Sequence, residues 1–137
     1  MAQNTNPIFT LIPIISFAPA ILTANTAKDG TGTVSTIFTA DGTNGSFVQR
    51  LVLKAIGTNI ASVMRVWINN GGATSTATNN SFIIEIDLPA TTLSEVATMA
   101  VVERALNIPM PLSYKLTCAI GTTVAAGWVP TVFGGNY

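Results

Sequence analysis

Polar and apolar residues alternate with a period of two along most of this chain, the spacing that a β-strand with one buried face requires. In Ser81–Leu88, Phe82, Ile84, Ile86 and Leu88 fall on one side and Ile83, Glu85 and Asp87 on the other. In Ser62–Asn70, Met64, Val66 and Ile68 oppose Val63, Arg65 and Trp67. In Ser113–Gly121, Tyr114, Leu116, Cys118 and Ile120 oppose Lys115, Thr117 and Ala119. Phe47, Gln49, Leu51, Leu53 and Ala55 form a further row opposite Arg50 and Lys54. Between the rows, Asp29-Gly30, Asp41-Gly42, Asn44-Gly45 and Asn70-Gly71-Gly72 supply the positive-φ residues of tight turns. The pattern predicts strands over 8–17, 19–24, 32–40, 46–56, 61–70, 81–89, 99–110, 112–120 and 123–133. Gly72–Asn80 reads as a long, exposed polar loop, and Thr92–Met99 is the one helix-like window.

Strands at this density, with a turn signal after each, imply two packed sheets with Greek-key connections. The expected fold is therefore all-β, a jelly-roll-like β-sandwich with an extended apolar N-terminal arm. It forms one domain over residues 1–137, with 1–24 as arm or edge strands and 25–137 as sandwich core and C-terminal tail.

Composition narrows what such a domain does. The 137 residues are 48% hydrophobic and 9% charged, against about 25% charged in an ordinary soluble chain. Six basic residues balance six acidic ones, so the basic footprint that a phosphate backbone demands is missing and a nucleic-acid partner is not expected. A charge-poor surface with no net charge favours association over a lone monomer. The chain holds no His and a single Cys. That excludes an intrachain disulfide, a Cys/His zinc site and every Ser-His-Asp or Cys-His arrangement. No cofactor and no metal are expected. Pro7–Leu22 is apolar, and Ala18-Pro19-Ala20 mimics a cleavage site. However, no positive charge precedes Lys28, and prolines stand at 7, 13 and 19. An extended arm or edge strand is the expectation, in preference to a signal peptide or a membrane helix.

Individual residues offer little chemistry. Glu85 and Asp87 share one strand face, a spacing open to paired-carboxylate hydrolysis, but their place in the alternation is solvent, within reach of Arg65 or Lys54. Cys118 falls in an inward row and reads as a small core hydrophobe. Trp128 reads as core. Trp67 lies on the Arg65 face, outside the apolar row, where it serves either a subunit contact or a sugar-stacking platform. The triplets Asn44-Gly45-Ser46 and Asn79-Asn80-Ser81 match the glycosylation pattern by chance, and Gly30-Thr31-Gly32 and Gly134-Gly135 read as turns rather than phosphate loops.

Four strings have a specific word order: Arg50 to Asn59, Arg65 to Gly71, Leu88 to Glu95, and Gly121 to Trp128 with the ending Gly134-Gly135-Asn136-Tyr137. Together they resemble small β-sandwich structural proteins of tailed bacteriophages, of the capsid decoration (cement) type, over most of the chain after about residue 30. The resemblance carries no catalytic motif. It implies a non-enzymatic virion protein on the head surface, made in the bacterial host cytoplasm, with itself as partner in a homotrimer and the major capsid protein as the other. The alternative is a receptor- or glycan-binding module of a tail or fibre. Residues expected at the interface are Ile8, Phe9, Leu11, Ile12, Ile14, Ile15, Phe17, Arg65, Trp67, Val132, Phe133 and Tyr137.

Overall fold

The computed structural model describes residues 10–137. Eight strands and one short 3-10 turn make up its regular structure: β1 (Ile12–Phe17), β2 (Ser35–Thr39), β3 (Ser46–Ala55), β4 (Ser62–Asn69), β5 (Asn80–Leu88), β6 (Val101–Met110), β7 (Lys115–Ile120) and β8 (Trp128–Asn136), with the turn at Ala77–Asn79. They form two antiparallel sheets, sheet A in the order β1-β8-β3-β6 and sheet B in the order β2-β7-β4-β5. The pairs β1 with β8, β2 with β7, β3 with β6 and β4 with β5 are nested, as if one long hairpin had been rolled up. Two further contacts, β3 with β8 and β4 with β7, close the roll. This is the jelly-roll sandwich expected from the alternation.

The core lies between the sheets. From sheet A it takes Val48, Leu51, Leu53, Ala55, Trp128 and Val132, and from sheet B Met64, Val66, Ile86, Leu88, Leu116, Cys118 and Ile120. Burial pushes the Cys118 thiol pKa upward, which suits its place as packing rather than as a nucleophile.

Departures from simple alternation occur at bulges. An extra residue in β3 between Val48 and Arg50 shifts the phase. The buried row is therefore Ser46, Val48, Leu51, Leu53 and Ala55, while Phe47 is half-buried and Gln49 exposed. A second bulge, opposite Val66 and Trp67, sets Ile83 aside and pairs Trp67 with Phe82. Phe82 thereby leaves the inward row expected for it and stacks on Trp67, ring centroids 5.4 Å apart.

Segment 19–24 is not a strand. Ile21 bridges Trp128 of sheet A and Ala24 bridges Ile120 of sheet B, so the segment crosses from one sheet to the other and no run of it can pair. Within the described part of the arm, 10–24, Ile12–Phe17 is an edge strand on β8. Thr92–Met99 holds no helix. Ser94 Oγ instead accepts the Val96 and Ala97 N–H groups in a tight turn. Gly134 and Gly135 lie inside β8, not in a turn. There β8 runs between β1 and β3, and a Cβ on either glycine would strike the carbonyl oxygen of Phe47 or of Ile12.

Candidate interaction surface

The two sheets present very different outer faces. On sheet B the chain itself covers the middle of the face, while Phe82, Glu85 and Asp87 on β5 stay exposed. After the Ala24 bridge, residues 25–33 form a strap across the outward side chains of β4. Asn25 shapes it, donating from Nδ2 to the Thr31 and Thr33 carbonyls at 2.7 and 3.1 Å and accepting the Ala27 N–H at 3.0 Å. Arg65 ties it down, donating to the Asn25 carbonyl at 2.9 Å and to Glu85 Oε1 at 2.8 Å. Trp67 Nε1 donates to the Lys28 carbonyl at 3.0 Å.

Trp67 is on the outward parity expected from the sequence and is absent from the core cluster between the sheets. It is nevertheless 0% exposed. The expectation that it offers a surface platform or a subunit contact is corrected by the strap, which the sequence did not signal. Glu85 meets Arg65 as expected for a solvated face.

Sheet A has no such cover among the described residues. Its register places the outward side chains in a grid across β1, β8, β3 and β6. The first row reads Pro13, Gly135, Phe47, Pro109. The second is Ile15, Phe133, Arg50, Ala105, and the third Phe17, Thr131, Val52, Glu103. Val129, Lys54 and Val101 follow. Exposure of Ile15, Phe17 and Val101 is 62%, 72% and 58%.

The charges on this face are each engaged. Arg50 pairs with Glu103 at 2.9 Å and lies 4.5 Å over the Phe133 ring, and Lys54 Nζ donates to the Met99 carbonyl at 2.7 Å. The result is a largely apolar sheet face crossed by the Arg50–Glu103 pair, with Lys54 tied to a backbone carbonyl at one end. At strand spacings of about 4.8 Å and alternate-residue steps of about 6.8 Å it covers roughly 400 Å².

The other residues expected at an interface are distributed unevenly. Leu11 is exposed beside the grid, and Ile12 is exposed at its edge. Ile14 packs against the core and Val132 is buried within it, because both point between the sheets. Tyr137 is half-buried, its N–H bonded to the Gly45 carbonyl. Ile8 and Phe9 lie outside the described residues. Sequence reading missed the β3 and β6 contribution to this face, Phe47, Val52, Ala105 and Val101. Strand order alone brings them beside β1.

One end of the sandwich is organised by a buried polar residue that patterning also passed over. Asn59 sits in the β3–β4 connection and is buried. Its Oδ1 accepts the Ala126 and Gly127 N–H groups at 3.0 and 2.7 Å. Its Nδ2 donates toward the Gly57 and Gly127 carbonyls and Thr91 Oγ1 at 3.1, 3.2 and 3.2 Å. It thus holds three connections together. Ile56, Ile60, Leu93 and Val96 are exposed around it.

A cavity of about 200 Å³ lined by Ala20, Ile21, Leu22, Thr23, Thr33 and Ser35 carries no ionisable group. Among the described residues no three His, Cys, Asp or Glu side chains converge, and no helix is long and apolar enough to cross a membrane.

No family model matches the chain, and no curated protein matches it. Among solved structures it is similar to a chain of the structure of infectious bursal disease virus, Gx strain. The TM-score is 0.33 and the identity 14%, over 97% of this chain and 36% of that one. The present chain thus spans little more than a third of that chain's length, and a match at this level carries no argument about function.

Proposed function

We propose that the protein is a non-enzymatic structural component of a virion, a decoration (cement) protein. In this reading it binds the outside of a tailed-phage head as a homotrimer, with the major capsid protein as its partner, and stabilises the shell. The observation that carries the reading is the contrast between the two outer faces. On sheet B the chain's own strap covers the outward side chains of β4 through Arg65 and Trp67, whereas among the described residues nothing covers sheet A, where Ile15, Phe17, Phe133 and Val101 lie on one face.

The magnitude favours a multivalent role. A face of roughly 400 Å² is about half of the ~800 Å² that each partner contributes to a standard stable interface. A single copy would be held weakly, and three linked copies engaging together would gain by avidity. A rigid sandwich without a reactive group suits that work. The word-level resemblance to phage decoration proteins points the same way. The alternative, a receptor- or glycan-binding module, drew on Trp67 and the Gly72–Asn80 loop; the burial of Trp67 removes the stacking platform and leaves the loop as its candidate surface.

The test is co-sedimentation with heads that lack the protein, together with the heat resistance of the reconstituted particles. Wild-type protein is expected to bind saturably and to raise heat resistance. Folded Ile15→Lys and Phe17→Lys variants are expected to bind far less. Wild-type protein that ignores heads, or heads equally heat-resistant with and without it, would overturn the proposal.

A further inference from the structure

Four turns contain an acid or amide followed by glycine: Asp29-Gly30, Asp41-Gly42, Asn44-Gly45 and Asn70-Gly71. They share one latent chemistry. A glycine amide nitrogen, unshielded by a side chain, attacks the preceding side-chain carbonyl carbon and closes a five-membered imide. Three conditions govern it. The carbonyl must belong to an amide or a neutral acid, since a carboxylate is a poor electrophile. The side chain must be free to turn toward the backbone. The glycine N–H must not be committed to a good acceptor.

The fold applies these conditions unequally. Asp29 and Asp41 fail the first. The Thr31 hydroxyl and N–H hold the Asp29 carboxyl below its ordinary pKa, and the Asn44 and Thr43 amides do the same for Asp41, so both stay ionised. Asn70 fails the other two. Its Oδ1 accepts the Gly72 N–H at 3.0 Å, its Nδ2 donates to Asn79 Oδ1 at 3.3 Å, and the Gly71 N–H is bound to Asn69 Oδ1 at 2.9 Å. Asn44 meets the first two and comes nearer the third than Asn70 does. It is exposed, its side-chain amide has no hydrogen-bond partner among the described residues, and the N–H of buried Gly45 makes one long contact of 3.3 Å to the Asp41 carbonyl, against 2.9 Å for the Gly71 N–H.

The geometry points to Asn44 as a deamidation site, the Asn-Gly pair that folding leaves reactive while its counterpart at Asn70 is locked. The step consumes only water. Hydroxide takes the Gly45 amide proton, the nitrogen bonds to Asn44 Cγ, and the side-chain amide leaves as ammonia. Water then opens the imide at either carbonyl, giving an aspartyl or an isoaspartyl linkage and one new negative charge.

The reactive glycine cannot be exchanged for protection. Gly45 has φ +77°, and a Cβ there would stand 2.7 Å from the Met110 carbonyl oxygen. Asn44 is under no such constraint, because its contact to Asp41 Oδ2, at 2.8 Å, is made by its backbone N–H. An isoaspartyl linkage would lengthen the main chain where Gly45 O receives the Tyr137 N–H and Ser46 Oγ binds Asn136 at 2.6 Å. That corner anchors the end of β8 next to the bare face of sheet A.

The test is a peptide map by mass spectrometry, with enzymatic isoaspartyl labelling, of the full chain aged in mildly alkaline buffer, folded and in denaturant. In the folded chain Asn44 is expected to convert roughly tenfold or more faster than Asn70, whose hydrogen bonds must first break. In denaturant the two should convert alike. Asn44→Ser should remove the isoaspartyl label and leave the thermal midpoint unchanged. Equal rates at Asn44 and Asn70 in the folded chain would overturn the assignment. So would an Asn44 that stays intact in the folded chain while the denatured chain converts.

Discussion

Replacing Asn59 by alanine is expected to be among the costliest single changes outside the apolar core. Its side chain accepts two backbone N–H groups, that of half-buried Ala126 at 3.0 Å and that of buried Gly127 at 2.7 Å. The carbonyls it donates to fare better. Gly57 O keeps the Thr91 hydroxyl at 2.7 Å, and Gly127 O keeps the Ile56 N–H at 3.4 Å. The loss is therefore one of acceptors. An unsatisfied buried donor costs about 1–3 kcal/mol. Gly127 N is buried, while the N–H of half-exposed Ala126 recovers part of its bonding from water. Together these give about 2–4 kcal/mol for Asn59→Ala. At about 4 °C per kcal/mol for a chain of this size, the thermal midpoint should fall by roughly 8–16 °C. The assay is chemical and thermal unfolding followed by tryptophan fluorescence, since Trp128 adjoins Gly127 and is fully buried. Asn59→Asp keeps the acceptor but turns a carboxylate toward carbonyl oxygens. A loss below about 0.5 kcal/mol for Asn59→Ala would refute the reasoning, because surface changes give as much.

Trp67→Ala should cost about 3–5 kcal/mol as a buried aromatic truncation, and Trp67→Phe about 1 kcal/mol for the lost bond to the Lys28 carbonyl; denaturant titration separates the two. Cys118 should resist thiol reagents in the folded chain and react at the rate of unfolding, because burial raises its thiol pKa and bars access. The Asp41 carboxyl has a lowered folded pKa, so its contribution is present above the unfolded value and lost as pH falls through the folded one. Asp41→Asn should therefore flatten the acid limb of a stability-against-pH curve.

Much of the sandwich was legible because period-two alternation encodes strands directly. β4, β5 and β7 fall close to where the pattern predicts them, and so do the turns at Asn44-Gly45 and Asn70-Gly71. What escaped were effects of tertiary origin. A single bulge at Gln49 inverts the face of Phe47, and another at Ile83 turns Phe82 outward. Residue identity does not announce either. Trp67 shows the limit most clearly. Its strand face was readable from parity, but its burial depends on residues 25–33, nearly forty positions earlier, folding over it. Gly134-Gly135 looked like a turn because glycine favours turns, whereas here it permits close approach of two neighbouring strands. The bare face was half legible. Ile15, Phe17 and Phe133 were readable as apolar, but their union with Phe47, Val52 and Val101 required the strand order of sheet A.

The central claim is that the face of sheet A, uncovered among the described residues, is the contact through which the protein joins its assembly. Hydroxyl-radical footprinting of the free protein against the protein bound to heads tests it residue by residue. Protection should concentrate on Ile15, Phe17, Phe133 and Val101, with the strap over sheet B labelled equally in both states. Protection centred on the strap, with Phe17 and Val101 still fully labelled, would contradict the account.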